Sequence, residues 1–340
     1  MHNFNRYSRQ IAFRDIGQTG QEKLLSSTIA IIGIGALGTA LANLLCRSGI
    51  GHIRLIDRDY VELSNLQRQT LFNEDDVTNN TPKAIAAAEH LKKINSSITI
   101  EPIVTDVNAW NIEELIKGCD LVLDGTDNMG IRLIINDACV KNHIPWIYGG
   151  AITTTGMSMN ILTSEDAPCF LCAFPGAGAH VSHDTCSTVG VLGMIPSIVA
   201  SYQAVEALKI LIGSEDIRRS LLYMDVWSND TGQIDIKKNL ECPACVHREF
   251  TFLSQPQTPY TTTLCGRDAI QVIPFGKRNI NFESLSKKLS HAGNVKFNKF
   301  MLSFSDSTIE INLFSDGRAI IKNAKDENAA RSIYSEYIGY

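Results

Sequence analysis

The run IAIIGIGALG at residues 29–38 sets Gly33, Gly35 and Gly38 in a G-x-G-x-x-G spacing between an apolar stretch and a helical one. In that context the glycines let backbone N–H groups at a helix N-terminus come close to phosphate oxygens. Asp57 follows nineteen residues after the last glycine, at the end of the next apolar run. A carboxylate there accepts hydrogen bonds from ribose hydroxyls. By itself this pattern specifies an adenine nucleotide and nothing about its fate. The next segment, ELSNLQRQTLF at 62–72, presents Asn65, Gln67, Arg68 and Gln69 where a nicotinamide enzyme needs apolar room. The planar fork of Arg68 suits phosphate oxygens, and Asn65 suits a phosphate or an attacking carboxylate. Lys83, in TPKA, adds a point charge at a helix start; taken alone it reads as a solvated lysine. DLVLDGTDN at 120–128 puts Asp124, Asp127 and Asn128 at the end of a further strand. Asp127 reads as a ligand for Mg²⁺ beside a triphosphate or as a helix N-cap, and the two are compatible.

A second chemistry belongs to sulfur. Cys169-x-x-Cys172 and Cys242-x-x-Cys245 are paired knuckles separated by 69 residues. Four thiolates from two such turns close a tetrahedral Zn²⁺ site with no open position, so one structural zinc per chain is expected. Cys186 lies apart, in HVSHDTCSTVGVLG, beside His183 and ahead of a helix. That setting lowers a thiol pKa and makes Cys186 a candidate reactive cysteine, with an inert, partly buried thiol as the other reading. Cys46, Cys119 and Cys139 fall in core positions, and Cys265 has no evident partner.

These residues need elements to hold them. Apolar runs at 28–34, 52–57, 99–104, 120–126, 145–150 and 157–162 alternate with helical stretches at 36–48, 82–94, 111–117 and 130–142. Such alternation predicts a doubly wound α/β domain with a mostly parallel sheet covered on both faces. Thr81 is the expected N-cap of the second helix, with Pro82 in its first turn. The longest apolar stretch, 189–213, contains Pro196, Gln203, Glu206 and Lys209. It predicts a buried amphipathic helix with Val205, Leu208, Leu211 and Ile212 inward, not a membrane span. After residue 248 the composition turns to Thr, Gln and Pro, so 249–263 reads as a linker. Residues 264–340 then read as a small α+β domain: a strand, a helix, three strands and a closing helix, with Asp316-Gly317 marking a hairpin. The domain boundaries expected are 1–248 and 264–340.

The chain has 44% apolar and 20% charged residues and a net charge of −5. This describes a soluble globular enzyme with no global basic field for nucleic acid or an acidic membrane. The N-terminal residues show no signal-peptide pattern, and the cysteine usage fits a reducing cytoplasm.

RYSRQ (6–10), GIGALG (33–38), SNLQRQ (64–69), TPKA (81–84) and LDGTDN (123–128) together closely resemble the bacterial ThiF/MoeB adenylyltransferases, relatives of the ubiquitin-activating enzymes. The resemblance covers residues 4–248 and implies the Rossmann-like fold of the ubiquitin-activating type. It also implies ATP-dependent adenylation of the C-terminal glycine of a ubiquitin-like sulfur carrier, of thiamine (ThiS) or molybdopterin (MoaD) type. On this reading Asp57 binds ribose, Asn65, Arg68 and Lys83 hold phosphates, and Asp127 organises Mg²⁺. Arg9 reaches the site of a neighbouring subunit, which implies a homodimer. Relatives differ in whether the cysteine matching Cys186 bonds to the carrier or sulfur donor. The C-terminal domain does not resemble a rhodanese, so sulfur must come from a separate donor such as a cysteine desulfurase.

Other readings carry less. A nicotinamide-dependent oxidoreductase rests on the glycine turn and Asp57 alone and leaves Arg68, Lys83 and Asp127 without a task. A catalytically silent, zinc-stabilised nucleotide-binding module requires a missing phosphate ligand, and none is missing. An activating enzyme of the same superfamily for another peptide stays open, while the acidic balance argues against tRNA.

Overall fold

The computed structural model describes residues 4–177, 190–254, 260–264, 269–274 and 280–339. The chain separates into two units, Met1–Gln255 and Pro256–Tyr340. In the first, eight strands form one sheet in the order β3-β2-β1-β4-β5-β6-β7-β8. They are β1 Thr28–Ile32, β2 His52–Asp57, β3 Thr99–Val104, β4 Leu121–Asp124, β5 Trp146–Ile152, β6 Thr155–Ile161, β7 Leu221–Asp225 and β8 Asp230–Ile234. Strands β1 to β5 run parallel, and β6, β7 and β8 are added antiparallel.

The pleat of β1 shows how the sequence covers both faces. Ile29 and Ile31 point to a core shared with α1 (Gly17–Ser26), α2 (Ala36–Ser48), α3 (Lys83–Ile94) and, through Ala200, Ala204 and Ala207, the long helix that ends the series. Ala30 and Ile32 point to the opposite core, with Ile112 and Ile116 of a short helix and Leu133, Ile135 and Ala138 of α4 (Met129–Lys141). An apolar run buried on both sides is what a parallel strand between helical layers requires. The chain goes from β1 outward to β2 and β3 and then returns across β1 to β4. The strand order therefore reverses between β1 and β4, and a crevice opens at their carboxyl ends.

Three local expectations are corrected. Thr81 does not cap α3: Pro82 occupies the cap position in extended conformation, and its carbonyl accepts the Ile85 and Ala86 N–H groups. Thr81 instead pairs by its backbone with Val61 and Asp76. The apolar helix α5 (Met194–Ile212) is long and apolar enough to cross a membrane, yet it packs on α2 and on β5 and β6. Its orientation also differs from the apolar pattern, since Val205 is 51% exposed while Gln203 and Glu206 are buried. Gln203 donates its amide to the Asp124 and Ile147 carbonyls at 3.0 and 3.2 Å, so the helix is fixed to the sheet by a polar anchor. The hairpin of β7 and β8 has no counterpart among the expected strands, because every residue of β8 is exposed and carries no apolar alternation.

The second unit is a six-stranded antiparallel sheet ordered β11-β12-β13-β14-β10-β9. Its strands are β9 Tyr260–Leu264, β10 Ala269–Ile273, β11 Asn294–Phe297, β12 Met301–Ser305, β13 Glu310–Phe314 and β14 Ala319–Lys322. Helices α6 (Phe282–Leu289) and α7 (Glu327–Tyr337) cover Ile270, Leu302, Phe304, Ile311, Leu313 and Ile321. Two expectations change here. The end of the stretch read as a linker forms β9, and four strands, not three, follow α6. Asn298 divides β11 from β12, its side chain accepting the Phe300 and Met301 N–H groups at 2.8 and 2.9 Å. The hairpin at Asp316-Gly317 is present, with Gly317 at φ 89°.

Candidate active site

The crevice at the β1–β4 reversal is a cleft of about 960 Å³ of open space, its solvent-filled mouth included. It gathers Gly33, Gly35, Asp57, Arg68, Lys83 and Asp127, residues far apart in sequence and predicted to act together. The glycines divide into two kinds. Gly33 adopts φ +86°, and a Cβ on Gly38 would lie 1.9 Å from the Gly33 carbonyl oxygen, so both are required by the turn itself. Gly125, at the end of β4, interlocks with them: a Cβ there would lie 2.3 Å from the same oxygen. Around Gly35 the nearest atom to an added Cβ is 3.9 Å away. No close contact demands glycine at 35, but it lines the cleft at the N-terminus of α2, where a phosphate needs a bare backbone.

Asp57 ends β2, and its two oxygens accept the Ile34 and Asp59 N–H groups at 2.6 and 2.7 Å. Burial pushes this carboxyl above its usual range, opposed by the charge of Lys83. Lys83 is no solvated helix residue: it is 4% exposed and lies 3.6 Å from Asp59. Arg68 lines the same cleft and donates to the Ser64 carbonyl at 3.0 Å. Asn65 is buried but is not among the residues lining the cleft. Its Oδ1 accepts the Glu62 N–H at 3.2 Å and so closes the turn that carries Arg68. At the end of β4, Asn128 and not Asp127 caps α4, accepting the Ile131 N–H at 3.1 Å. The two readings of Asp127 thereby separate, and its exposed carboxylate faces the cleft.

Arg9 is exposed on a short helix, Ser8–Ile11, and does not line the cleft of its own chain. That helix is held by Tyr7, whose hydroxyl accepts from Asn95 at 2.9 Å, and by Gln10, which donates to Gln21 and to the Ser48 carbonyl. Cys186 and His183 lie outside the described residues, as does Cys265. Cys46, Cys119 and Cys139 are buried, and burial pushes the thiols of Cys46 and Cys119 up to about 11.

The other four cysteines meet. Sγ of Cys169 lies 3.5 Å from Cys242 and 3.9 Å from Cys172, and Cys172 lies 3.6 Å from Cys245. All four sulfurs fall within 4.8 Å of one another. A tetrahedral site with Zn–S bonds of about 2.3 Å separates its sulfurs by about 3.8 Å, so the cluster has the dimensions for zinc. Hydrogen bonds from Cys169 and Cys245 lower the Cys172 thiol, with the Asn239 N–H adding to them, and bonds to Cys172 and Cys245 raise Cys169.

Further residues complete the cleft. Gln69 is buried at its wall with Oε1 lacking a partner. Arg58 pairs with Asp106 at 2.8 Å, and both line the cleft beyond Asp57. Arg132, hidden in the apolar pattern of α4, pairs with Asp124 at 2.8 Å and donates to the Thr126 and Gly149 carbonyls. Burial opposes its charge, but Asp124 holds the guanidinium above its ordinary value. Arg132 thus fixes the loop from which Asp127 projects. In the sequence only a charged residue inside an apolar helical pattern signalled it.

The chain is similar to known proteins in sequence and fold. Residues 7–244 match the ThiF family. The sulfur carrier protein ThiS adenylyltransferase of Bacillus subtilis is 40% identical over 340 residues, covering 98% of this chain and 99% of that one. The enzyme of the same name from Escherichia coli is 36% identical over 242 residues, 71% of this chain and 95% of that one. The SAMP-activating enzyme E1 of Haloferax volcanii is 36% identical over 242 residues, 71% and 88% of the two chains. Among solved structures, Escherichia coli MccB with ATP superposes with a TM-score of 0.62 at 22% identity, covering 72% of this chain and 75% of that one, a likeness of fold. The match spans most of the first unit, and the chain belongs to the ThiF family.

Proposed function

We propose that the protein uses ATP to adenylate the C-terminal glycine of a ubiquitin-like sulfur carrier of the ThiS type. The convergence of Gly35, Arg68, Lys83 and Asp127 on one cleft carries the activity. The full-length match to the Bacillus subtilis relative, C-terminal unit included, supports the choice of carrier. A terminal carboxylate oxygen attacks the α-phosphorus, the bond to the β-phosphate breaks, and pyrophosphate leaves with the electron pair. No side-chain nucleophile takes part. Arg68, Lys83 and the N–H groups opening α2 stabilise the charge that develops on the phosphates, while Asp57 holds the ribose. Asn65 acts through the turn that it closes.

Asp127 would hold Mg²⁺, which would supply further charge neutralisation, a role supported by its exposed carboxylate in the lining of the cleft. The sulfurs of Cys169, Cys172, Cys242 and Cys245 fit one structural Zn²⁺, which would tie the segment after β6 to the end of the first unit. A homodimer, with Arg9 serving the partner's cleft, is supported by the exposed helix that bears Arg9. The outward apolar side chains of Met194, Tyr202 and Val205 on α5 support it too. A separate sulfur donor and a cytoplasmic location complete the reading. Intact-mass analysis of carrier, enzyme and Mg·ATP tests it: an acyl-adenylate is expected on the full-length carrier and not on one lacking its last glycine. Unmodified carrier in both samples would contradict it.

A further inference from the structure

The loop between β5 and β6 has two residues, Thr153 and Thr154, closing a pair at Ile152 and Thr155. Thr153 has φ 50°, a left-handed value that such a loop ordinarily gives to Gly, Asn or Asp. For a β-branched residue this conformation is costly and persists only where its surroundings over-determine it. Those surroundings are backbone hydrogen bonds to two other segments. Thr153 N–H donates to the Gly190 carbonyl at 3.2 Å, and its carbonyl accepts the Leu192 N–H at 2.8 Å. The Thr154 carbonyl accepts the Val226 N–H at 3.1 Å. The Thr153 side chain is exposed, so its packing does not account for the conformation.

The strip clamped in this way leads to the cleft. Val191, bridged to Thr153, forms one wall together with Ala151 at the end of β5 and Pro196 on α5. With ribose at β2 and phosphates over the β1–α2 turn, the nucleotide lies on the β2–β1 side. The apolar wall stands on the β4–β5 side, where an acyl group must approach the α-phosphate.

We propose that Thr153 is a positioning residue for the acyl partner: its backbone bonds to Gly190 and Leu192, together with the narrow conformational range of its β-branched side chain, lock the Gly190–Leu192 strip and so fix the wall that the carrier's C-terminus passes. The inference rests on the adenylation reading. A glycine at 153 accepts the same φ and keeps both backbone bonds but loosens the lock by widening the range of backbone conformations, whereas asparagine tolerates left-handed backbone and keeps more of the restriction. The test is steady-state pyrophosphate–ATP exchange by wild type, Thr153→Gly and Thr153→Asn, with the carrier and ATP varied separately. Melting curves and hydrogen exchange at the Leu192 amide accompany it.

Thr153→Gly should raise the carrier KM roughly tenfold through misplacement of the approaching group. It should leave the ATP KM and the melting temperature unchanged and speed Leu192 exchange, and Thr153→Asn should recover most of the loss. A wild-type carrier KM in Thr153→Gly, an equal rise in both KM values, or unchanged Leu192 exchange overturns the inference. No carrier-dependent exchange by the wild type overturns the adenylation reading instead, and the Leu192 amide still reports on the lock.

Discussion

The cleft and the four-cysteine cluster use the same first unit in opposite ways. In the cleft, groups that form strong interactions are left facing space. Asp127 is exposed, the Gln69 Oε1 is buried without a partner, and Gly35 opposes nothing within 3.8 Å. In the cluster the sulfurs face one another, and Cys169 and Cys242 are almost fully buried. One region leaves interactions unmade within the fold, as the proposed ligand turnover requires; in the other the sulfurs meet one another. The difference separates a site built for turnover from one built for retention, and it predicts that damage to each will be read by a different assay.

The largest effect should follow metal removal from the cluster. Chelation under denaturing pull, or Cys242→Ser, should cost a large share of the stability of a domain this size, which is typically about 5–15 kcal/mol. Melting curves with elemental analysis of the dialysed protein check it, and fewer than one zinc per chain in the native protein would break the comparison. Next in size, Arg68→Ala and Asp127→Ala should each lower adenylation roughly 100- to 1,000-fold by removing transition-state charge stabilisation. Both should leave the melting temperature nearly unchanged, since neither side chain is needed by the fold.

The glycines sharpen the contrast inside the cleft. Gly38→Ala drives a Cβ to 1.9 Å from a backbone oxygen and should destabilise by about 3 kcal/mol or more. Gly35→Ala should leave stability intact and weaken ATP binding, as measured by titration calorimetry.

The smallest effect concerns the segment that leaves the cluster. Buried Asp137 accepts the Phe252 N–H at 2.9 Å, and burial pushes its carboxyl up to about 6 from 3.8. A raised carboxyl pKa favours the fold in acid, and that contribution is lost as pH rises through 6. The span of the shift amounts to roughly 3 kcal/mol at most. Asp137→Asn should therefore flatten the pH dependence of denaturant unfolding between about pH 4 and 7.

Much of the cleft was legible because its chemistry is local. The G-x-G-x-x-G turn, Lys83 and Asp127 each sit at a strand end or helix start that the apolar pattern marks, and Arg68 stands in the polar run that follows β2. The four-cysteine cluster was legible for the same reason, as two short knuckles. What escaped depends on contacts between distant segments. Gly125 is demanded by the Gly33 carbonyl, and Arg132 by a loop on another strand. Asn65 also closes a turn through its Oδ1, a contact that its residue type alone does not announce. Val205 was placed inward by hydrophobicity, but Gln203 reaches two carbonyls of the sheet and turns α5 the other way. The edge strand β8 has no buried side chain to announce it. In the second unit a single Asn298 divides what reads as one continuous strand.

The most direct test of the central claim is pyrophosphate–ATP exchange by the wild-type protein, with and without a ThiS-type carrier and with Asp127→Ala as the control. Exchange that requires the carrier's terminal glycine and falls at least about 100-fold in Asp127→Ala is the predicted result. Exchange that is absent with the carrier, or undiminished in Asp127→Ala, would contradict the account.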